Sequence, residues 1–310
     1  MSVQPQALPS DLLVARRPAA KRSPARHHSA SGQWKVKSRW SRLGISVFCF
    51  AAGAVFLLPL IWMASLSVRS ANDVFSGSLL PHEWLFGNFV TSWKQYGLGV
   101  LFLHSLIITS LTVVGAVTLS ATAAYGLAGA QSRGSRITVA LLLSGLMAPP
   151  AVIVVSFFLT MHALGLYNSL FGVVLAEIAF SLPLGVIILR GYIEHIPTEL
   201  IDSARVDGAS ELVAFRSIVL PLLRPALATV AVFTTISTWN DFLLPLVLLA
   251  NTNTSTLTVG MSQFTSGVGG SLSWQLTAAA SIMAMVPLLI VFAVGRRYYI
   301  QGLTAGAVKG

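Results

Sequence analysis

The chain has 310 residues, 55% of them apolar and only 10% charged, with a formal net charge of +10 at pH 7. Soluble domains keep about a quarter of their residues charged, so this balance excludes an ordinary soluble globule and points to a membrane protein. Cys49 is the sole cysteine, which excludes a disulfide framework.

Residues 1–42 are rich in Ser, Pro, Ala and Arg, with Arg16-Arg17, Lys21-Arg22, Arg26 and a basic stretch from Lys35 to Arg42. Too few large apolar side chains occur there to offset chain entropy, so a disordered basic tail is expected. The next apolar run is a full span rather than a short cleavable core, so the pattern predicts neither a cleaved signal peptide nor a twin-arginine signal. The tail's expected work is to hold the N-terminus inside and touch anionic lipid. Residues 43–310 then read as a single all-α, polytopic membrane domain. Six apolar stretches reach the roughly 20 residues that cross a bilayer, at 43–66, 101–128, 137–161, 168–190, 226–250 and 274–295.

Lys and Arg set the orientation. Nine precede the first stretch, two lie in 67–100, two in 129–136, four between Arg190 and Arg224, and three follow 295. Placing both termini in the cytoplasm puts 18 inside and two outside, as the positive-inside rule requires. Topology accounts for the net charge, and no nucleic-acid partner is expected. The uncharged loop 251–273 then lies outside, where neutral contacts with an external protein are expected.

Ionisable groups within spans are costly and usually face protein or a wet cavity. Glu177 in the fourth stretch and Asp241 in the fifth are the candidates for a substrate path. Glu177 is suited to accepting solute hydroxyls, or to a bond with a neighbouring helix. Trp239, Asn240 and Asp241 place an aromatic ring beside an amide and a carboxylate, a set suited to sugar contact or to helix packing. Pro183, Pro221, Pro245 and Pro287 are expected to kink or break helices.

The polar interruption at 196–225 is not built like a passive loop. Pro197 suits a first helical position, Glu199 to Asp207 reads as a short helix, and Gly208 ends it through a left-handed backbone. Ser210 can cap a second helix with Glu211 in its first turn and Ala214, Phe215, Ile218 and Val219 as an apolar face. A rigid helix–Gly–helix of this kind, facing the cytoplasm, forms a handle for another protein. Ala204 and Ala209 permit close approach, and Asp202, Arg205, Asp207, Glu211 and Arg216 can orient it. A side chain at Gly208 is expected to bring a backbone penalty and a clash.

The chain contains no G-x-x-x-x-G-K-[ST] phosphate loop, no paired-His metal motif and no G-x-S-x-G elbow. His82, His104, His162 and His195 stand singly. The sequence therefore predicts that this chain does not hydrolyse ATP itself, is not an enzyme, and has no metal or cofactor of its own.

Asp202-Ser203-Ala204, Asp207-Gly208-Ala209, Phe215, Ile218, Leu220-Pro221 and Pro225 resemble the "EAA" loop of ABC-importer permeases, with Asp202 and Ser203 departing from its first two letters. Over residues 80–310 the likeness extends to PHEWLFGNF from Pro81, AAYGLA from Ala123 (Gly129 replacing the usual basic residue), LGLYN from Leu164, WNDF from Trp239, and QGLTAGAVKG from Gln301. These stretches resemble carbohydrate-uptake permeases, and the C-terminus resembles their smaller, MalG-like subunit. The resemblance implies a type I importer fold and half of a translocation pore for a sugar or oligosaccharide, worked by alternating access in the cytoplasmic (inner) membrane of a prokaryote. It implies a second permease subunit in a heterodimer, a dimeric ATP-binding cassette ATPase that holds ATP and Mg, and an extracytoplasmic solute-binding protein. Loop 196–225, with Asp202, Ser203, Ala204, Asp207, Gly208, Ala209, Phe215 and Pro221, inherits the role of the coupling helix. A permease for another small polar solute, or an ion-coupled secondary carrier, are the alternatives.

Overall fold

The computed structural model describes residues 39–78, 80–129, 132–250, 254–265 and 273–307. The tail expected at 1–42 thus lies outside the described residues up to 38, as do residues 251–253 and 266–272 of loop 251–273 and the last three residues of the C-terminal signature. Every regular element among the described residues is helical.

The chain divides at Val55 into two units. The first contains the opening part of α1 (Arg39–Ser67). The second, from Phe56 onward, continues α1 and adds α2 (Gly87–Gln95), α3 (Leu98–Gly129), α4 (Arg133–Met147), α5 (Pro150–Ala163), α6 (Leu170–Ile193), α7 (Thr198–Val206), α8 (Glu211–Ala214), α9 (Leu220–Leu222), α10 (Arg224–Asn240), α11 (Leu243–Leu248), α12 (Leu257–Thr265) and α13 (Trp274–Ala307). Among the described residues, four helices are long and apolar enough to cross a membrane unaided, over Leu43–Ser67, Leu98–Gly129, Leu170–Ile193 and Trp274–Gly295. Two bent pairs raise the number to as many as six.

The structure corrects two of the predicted spans, one by a bend and one by a break. Stretch 137–161 is not one helix: α4 and α5 meet at 109°. Pro149 and Pro150 explain the break, because a residue before proline is pushed out of the helical region. Ala148 and Pro149 are accordingly extended, and Pro150 opens α5, where its missing N–H costs nothing. Stretch 226–250 is interrupted too. Helix α10 stops at Asn240, Asp241 is extended, and its carboxylate accepts the N–H groups of Leu243 and Leu244 at 3.1 and 3.2 Å to start α11. Pro183 and Pro287, by contrast, sit within α6 and α13 and end neither helix.

The central packing is α3 against α6, made close by small side chains. A methyl added at Gly185 would overlap Ser120, and one at Gly115 would overlap Ile178. Ala116, Ala121 and Ala124 are buried along α3. Close backbone approach through small residues is how helices associate where lipid removes the hydrophobic drive. Around this seam, Ile108, Val173 and Leu248 belong to one apolar cluster, and Leu189, Val219 and Leu223 to another.

Candidate functional site

The helix–Gly–helix predicted from sequence is present, with the ends of its first helix shifted by a residue. Pro197 is the N-terminal cap of α7 rather than its first residue. At the other end Gly208 has φ +86°. Its N–H bonds the Arg205 carbonyl at 3.0 Å, and the Ala209 N–H bonds the Ala204 carbonyl at 2.9 Å. This pair of bonds is the Schellman motif, which satisfies carbonyls that the helix end would otherwise leave open. Ser210 caps α8 by accepting the Val213 N–H. The expected clash at Gly208 has no source within this chain, since nothing lies within 4 Å of a built Cβ. The intrachain cost of a side chain there is the backbone's alone.

Beyond α8 the chain takes a π-helical turn at Phe215–Val219 before α9. Pro221 has no N–H to offer the Ser217 carbonyl and its ring crowds that group, which disfavours a regular α turn at this point. The rod Glu211–Leu222 then bends by 74° at Leu223 into α10, with Pro225 at the start of the new helix. Ala214 and Val219 are fully buried, and Phe215 packs half-buried on the same cluster as Leu189 and Leu223. The predicted apolar face therefore seats the handle on the bundle.

A relay of polar groups holds the two short helices together. Arg205 donates from Nη1 to Asp202 at 2.9 Å and from Nε to Glu211 at 2.8 Å. The bond to Glu211, and then that to Asp202, holds the guanidinium pKa above its ordinary value. The Tyr125 hydroxyl at the end of α3 donates to the other Glu211 oxygen at 2.8 Å, with its ring 5.0 Å from that of Phe215. The opposite surface stays open: Asp202, Ser203, Asp207 and Gly208 are exposed, as are Leu200, Leu212, Val213 and Val206, the last at 88%. Sequence reasoning had Tyr125 only as part of a family stretch; its bond to Glu211 spans 86 positions and leaves no local signal.

The candidate path residues divide. Glu177 is 1% exposed on α6 and accepts from Thr238 on α10 at 3.1 Å, so the expected bond to a neighbouring helix is made. Glu177 and Asp241 line one small cavity with Pro150, Phe157 and Phe180. Trp239 points elsewhere: it is buried with Leu98 and Leu257, stands edge-on to Phe102, and donates to the Ala284 carbonyl at 3.2 Å. Asn240 is exposed and donates back to the Ile236 carbonyl at 2.8 Å. The trio thus does not converge on one space. Adjoining the small cavity is one of about 290 Å³ under the α4–α5 bend, walled by α6 and α10.

A second polar knot lies between α1 and α2. Arg69 is wholly buried, donating to the Ser65 hydroxyl and to the carbonyls of Asp73 and Ser78, with the Trp62 ring 5.2 Å away. Asp73 accepts the His82 N–H at 3.0 Å and contacts its ring at 2.5 Å. These bonds, the backbone one first, lower the Asp73 pKa to about 2.

This geometry is that of a helical, multi-pass membrane protein with two bent helix pairs, the second of which begins in the ordered handle. Residues 116–304 match the family described as binding-protein-dependent transport system inner membrane component, and the chain belongs to that family. It is 32% identical over 279 residues to the probable ABC transporter permease protein YurM of Bacillus subtilis, covering 89% of this chain and 92% of the relative. It is 32% identical to the melibiose/raffinose/stachyose import permease protein MelC of Bacillus subtilis, covering 86% and 96%. The trehalose transport system permease protein SugB of Mycobacterium tuberculosis is 34% identical, with 82% and 93% covered. Among solved structures, a chain of a bacterial ABC transporter that imports the acidic polysaccharide alginate superposes with a TM-score of 0.73 at 26% identity, covering 84% of this chain and 98% of the other.

Proposed function

We propose that the chain is one permease subunit of an ATP-driven ABC importer that moves a sugar or oligosaccharide across a prokaryotic cytoplasmic membrane by alternating access. The observation that carries this reading is the handle: a Schellman-terminated helix, a capped second helix and an internal relay, seated on the bundle by one face and open on the other. Such an element is pre-ordered for a protein partner. The partner is a separate ATPase dimer that holds ATP and Mg, engaged through Asp202, Ser203, Ala204, Asp207, Gly208 and Ala209, with Phe215 and Pro221 fixing the handle to the membrane helices. A second permease completes the pore, and an extracytoplasmic binding protein delivers the solute. The charge distribution supports both termini and loop 196–225 on the cytoplasmic side. The sugar assignment draws on relatives named for melibiose, raffinose, stachyose and trehalose.

The test is affinity purification of the complex from detergent-solubilised membranes, with Gly208→Arg alongside the wild type. The wild type is expected to bring an ATPase and a second permease, and the variant to lose the ATPase alone. A wild-type chain that carries no ATPase, yet transports by itself, overturns the proposal in favour of an ion-coupled carrier.

A further inference from the structure

Glu177 has a buried oxygen that the protein does not satisfy. Its Oε2 accepts from Thr238, while Oε1 has no hydrogen-bond partner. Across the small cavity of about 50 Å³ lies Asp241, which is another acceptor. Asp241 already directs its two oxygens to the N–H groups of Leu243 and Leu244. The two carboxyl groups interact across this space, and Glu177 Oε1 is left without a donor in hydrogen-bond geometry, which is costly for a buried acceptor.

The small cavity shares Pro150, Phe157, Phe180 and Ser237 with the neighbouring cavity of about 290 Å³. The larger space is mainly apolar, with Phe157, Phe180 and Phe233 in its wall and the hydroxyl-bearing Ser181, Thr234 and Ser237 among them. Small-molecule sites have this construction: apolar and aromatic walls with a few placed polar groups. A cation fits poorly, because the larger cavity offers it few oxygens and Asp241 is engaged by backbone donors. A neutral polyhydroxylated ring fits both halves. Its hydroxyl supplies the donor that Glu177 Oε1 lacks, and its C–H face lies against the phenyl rings.

We infer that these adjoining cavities form a binding site for one ring of a neutral sugar or polyol, with Glu177 accepting from a ligand hydroxyl and Phe157 and Phe180 covering the ring's apolar face. The inference rests on the importer reading above and locates a ligand contact within this subunit.

The experiment uses the assembled transporter in proteoliposomes, with Cys49→Ser removing the natural thiol. Ala179→Cys and Ser181→Cys, each alone, put a thiol on the cavity wall, and maleimide labelling of this chain is followed by mass spectrometry. The probes are melibiose, raffinose and trehalose, each also tested for uptake. A transported sugar at ten times its dissociation constant slows labelling about tenfold, and Glu177→Gln or Phe180→Ala removes that protection. Unchanged labelling in a complex that takes the sugar up overturns the site and leaves the importer reading intact. Protection by sodium chloride and not by sugar overturns it in favour of a cation. Uptake of none of the three sugars, with no protection by any, overturns the site and the sugar reading together.

Discussion

Gly208 offers the sharpest test of what the handle does, because two physical causes give opposite orders of substitution. Its φ of +86° is a conformation that L side chains rarely adopt. Placing Ala there costs about 1–2 kcal/mol, which lowers the population of the ordered turn relative to competing ones by about five- to thirty-fold. Nothing within this chain lies within 4 Å of the added methyl, so no intrachain steric term enters. Asn tolerates the left-handed region better than Ala, although it is larger. If the backbone is what matters, transport coupled to ATP hydrolysis follows Gly, then Asn, then Ala, then Val. If a partner's close approach is what matters, Ala outperforms Asn. The assay is uptake and sugar-stimulated ATP hydrolysis by the reconstituted complex, measured side by side for Gly208→Ala, Gly208→Asn and Gly208→Val. The backbone term predicts that Asn retains more coupling than Ala. Wild-type coupling in all three variants refutes the assignment of this turn to the handle.

Tyr125→Phe removes the hydrogen bond to Glu211 and is expected to lower sugar moved per ATP hydrolysed without releasing the ATPase; an unchanged ratio refutes the link. Exchanging the charges in Arg205→Glu with Glu211→Arg is expected to recover part of what either change loses alone, as a double-mutant cycle would show. Gly185→Leu forces a side chain into Ser120, an overpacking cost of about 1–3 kcal/mol, and is expected to lower the thermal midpoint in detergent; Gly126→Ala, where no atom of this chain lies within 4 Å, is the matched control. Asp73 has a folded pKa near 2 against an ordinary 3.8, so its contribution is fully present above about pH 4 and is lost as pH falls toward 2. The midpoint difference between wild type and Asp73→Asn is therefore expected to shrink as pH falls from about 4 toward 2, and a difference that is unchanged down to about pH 2 contradicts the lowered Asp73 pKa.

Much of this was legible because it depends on local rules. Gly208 as a helix end, Ser210 as a cap and the buried Ala214 and Val219 match the reading, since caps and apolar positions are written within a few residues, whereas the π-helical turn at Phe215–Val219 was not legible. Runs of apolar residues also located the spans, yet hydropathy alone could not show where they break. Pro149-Pro150 stood in the sequence as a break signal within stretch 137–161, and apolar continuity outweighed it. At Asp241 the break depends on a carboxylate folding back on two N–H groups, for which the sequence offers only a polar residue in an apolar run. The Trp239 trio failed to converge because helix geometry turns successive side chains by about 100°: neighbours in sequence face different partners. Tyr125 with Glu211, and Glu177 with Thr238, are pairings across the fold that no local pattern announces.

The division between packed and broken helices suggests how the two candidate sites communicate. The α3–α6 seam is tightly fitted at Gly115 and Gly185, where an added methyl would overlap the side chains of Ile178 and Ser120. Such a seam resists sliding, because close-packed interiors change by discrete repacking rather than continuous deformation. The broken elements lie around it: the α4–α5 bend and α10 both wall the cavity. Helix α10 begins at the 74° bend from the handle and ends at Asn240, two residues past Thr238, which bonds Glu177. Its 17 residues span about 25 Å. A displacement of the handle by an ATPase therefore has a rigid helix through which to reach the Thr238–Glu177 contact, while Tyr125 registers the same handle against the fixed seam. Coupling by this route requires that α10 shift against α6 between two states. A reducible crosslinker joining Val186→Cys on α6 and Val230→Cys on α10, members of one buried cluster, would then stop uptake while leaving the ATPase bound, and reduction would restore it. Uptake that persists with the crosslink closed would place the moving element elsewhere, in the α4–α5 bend.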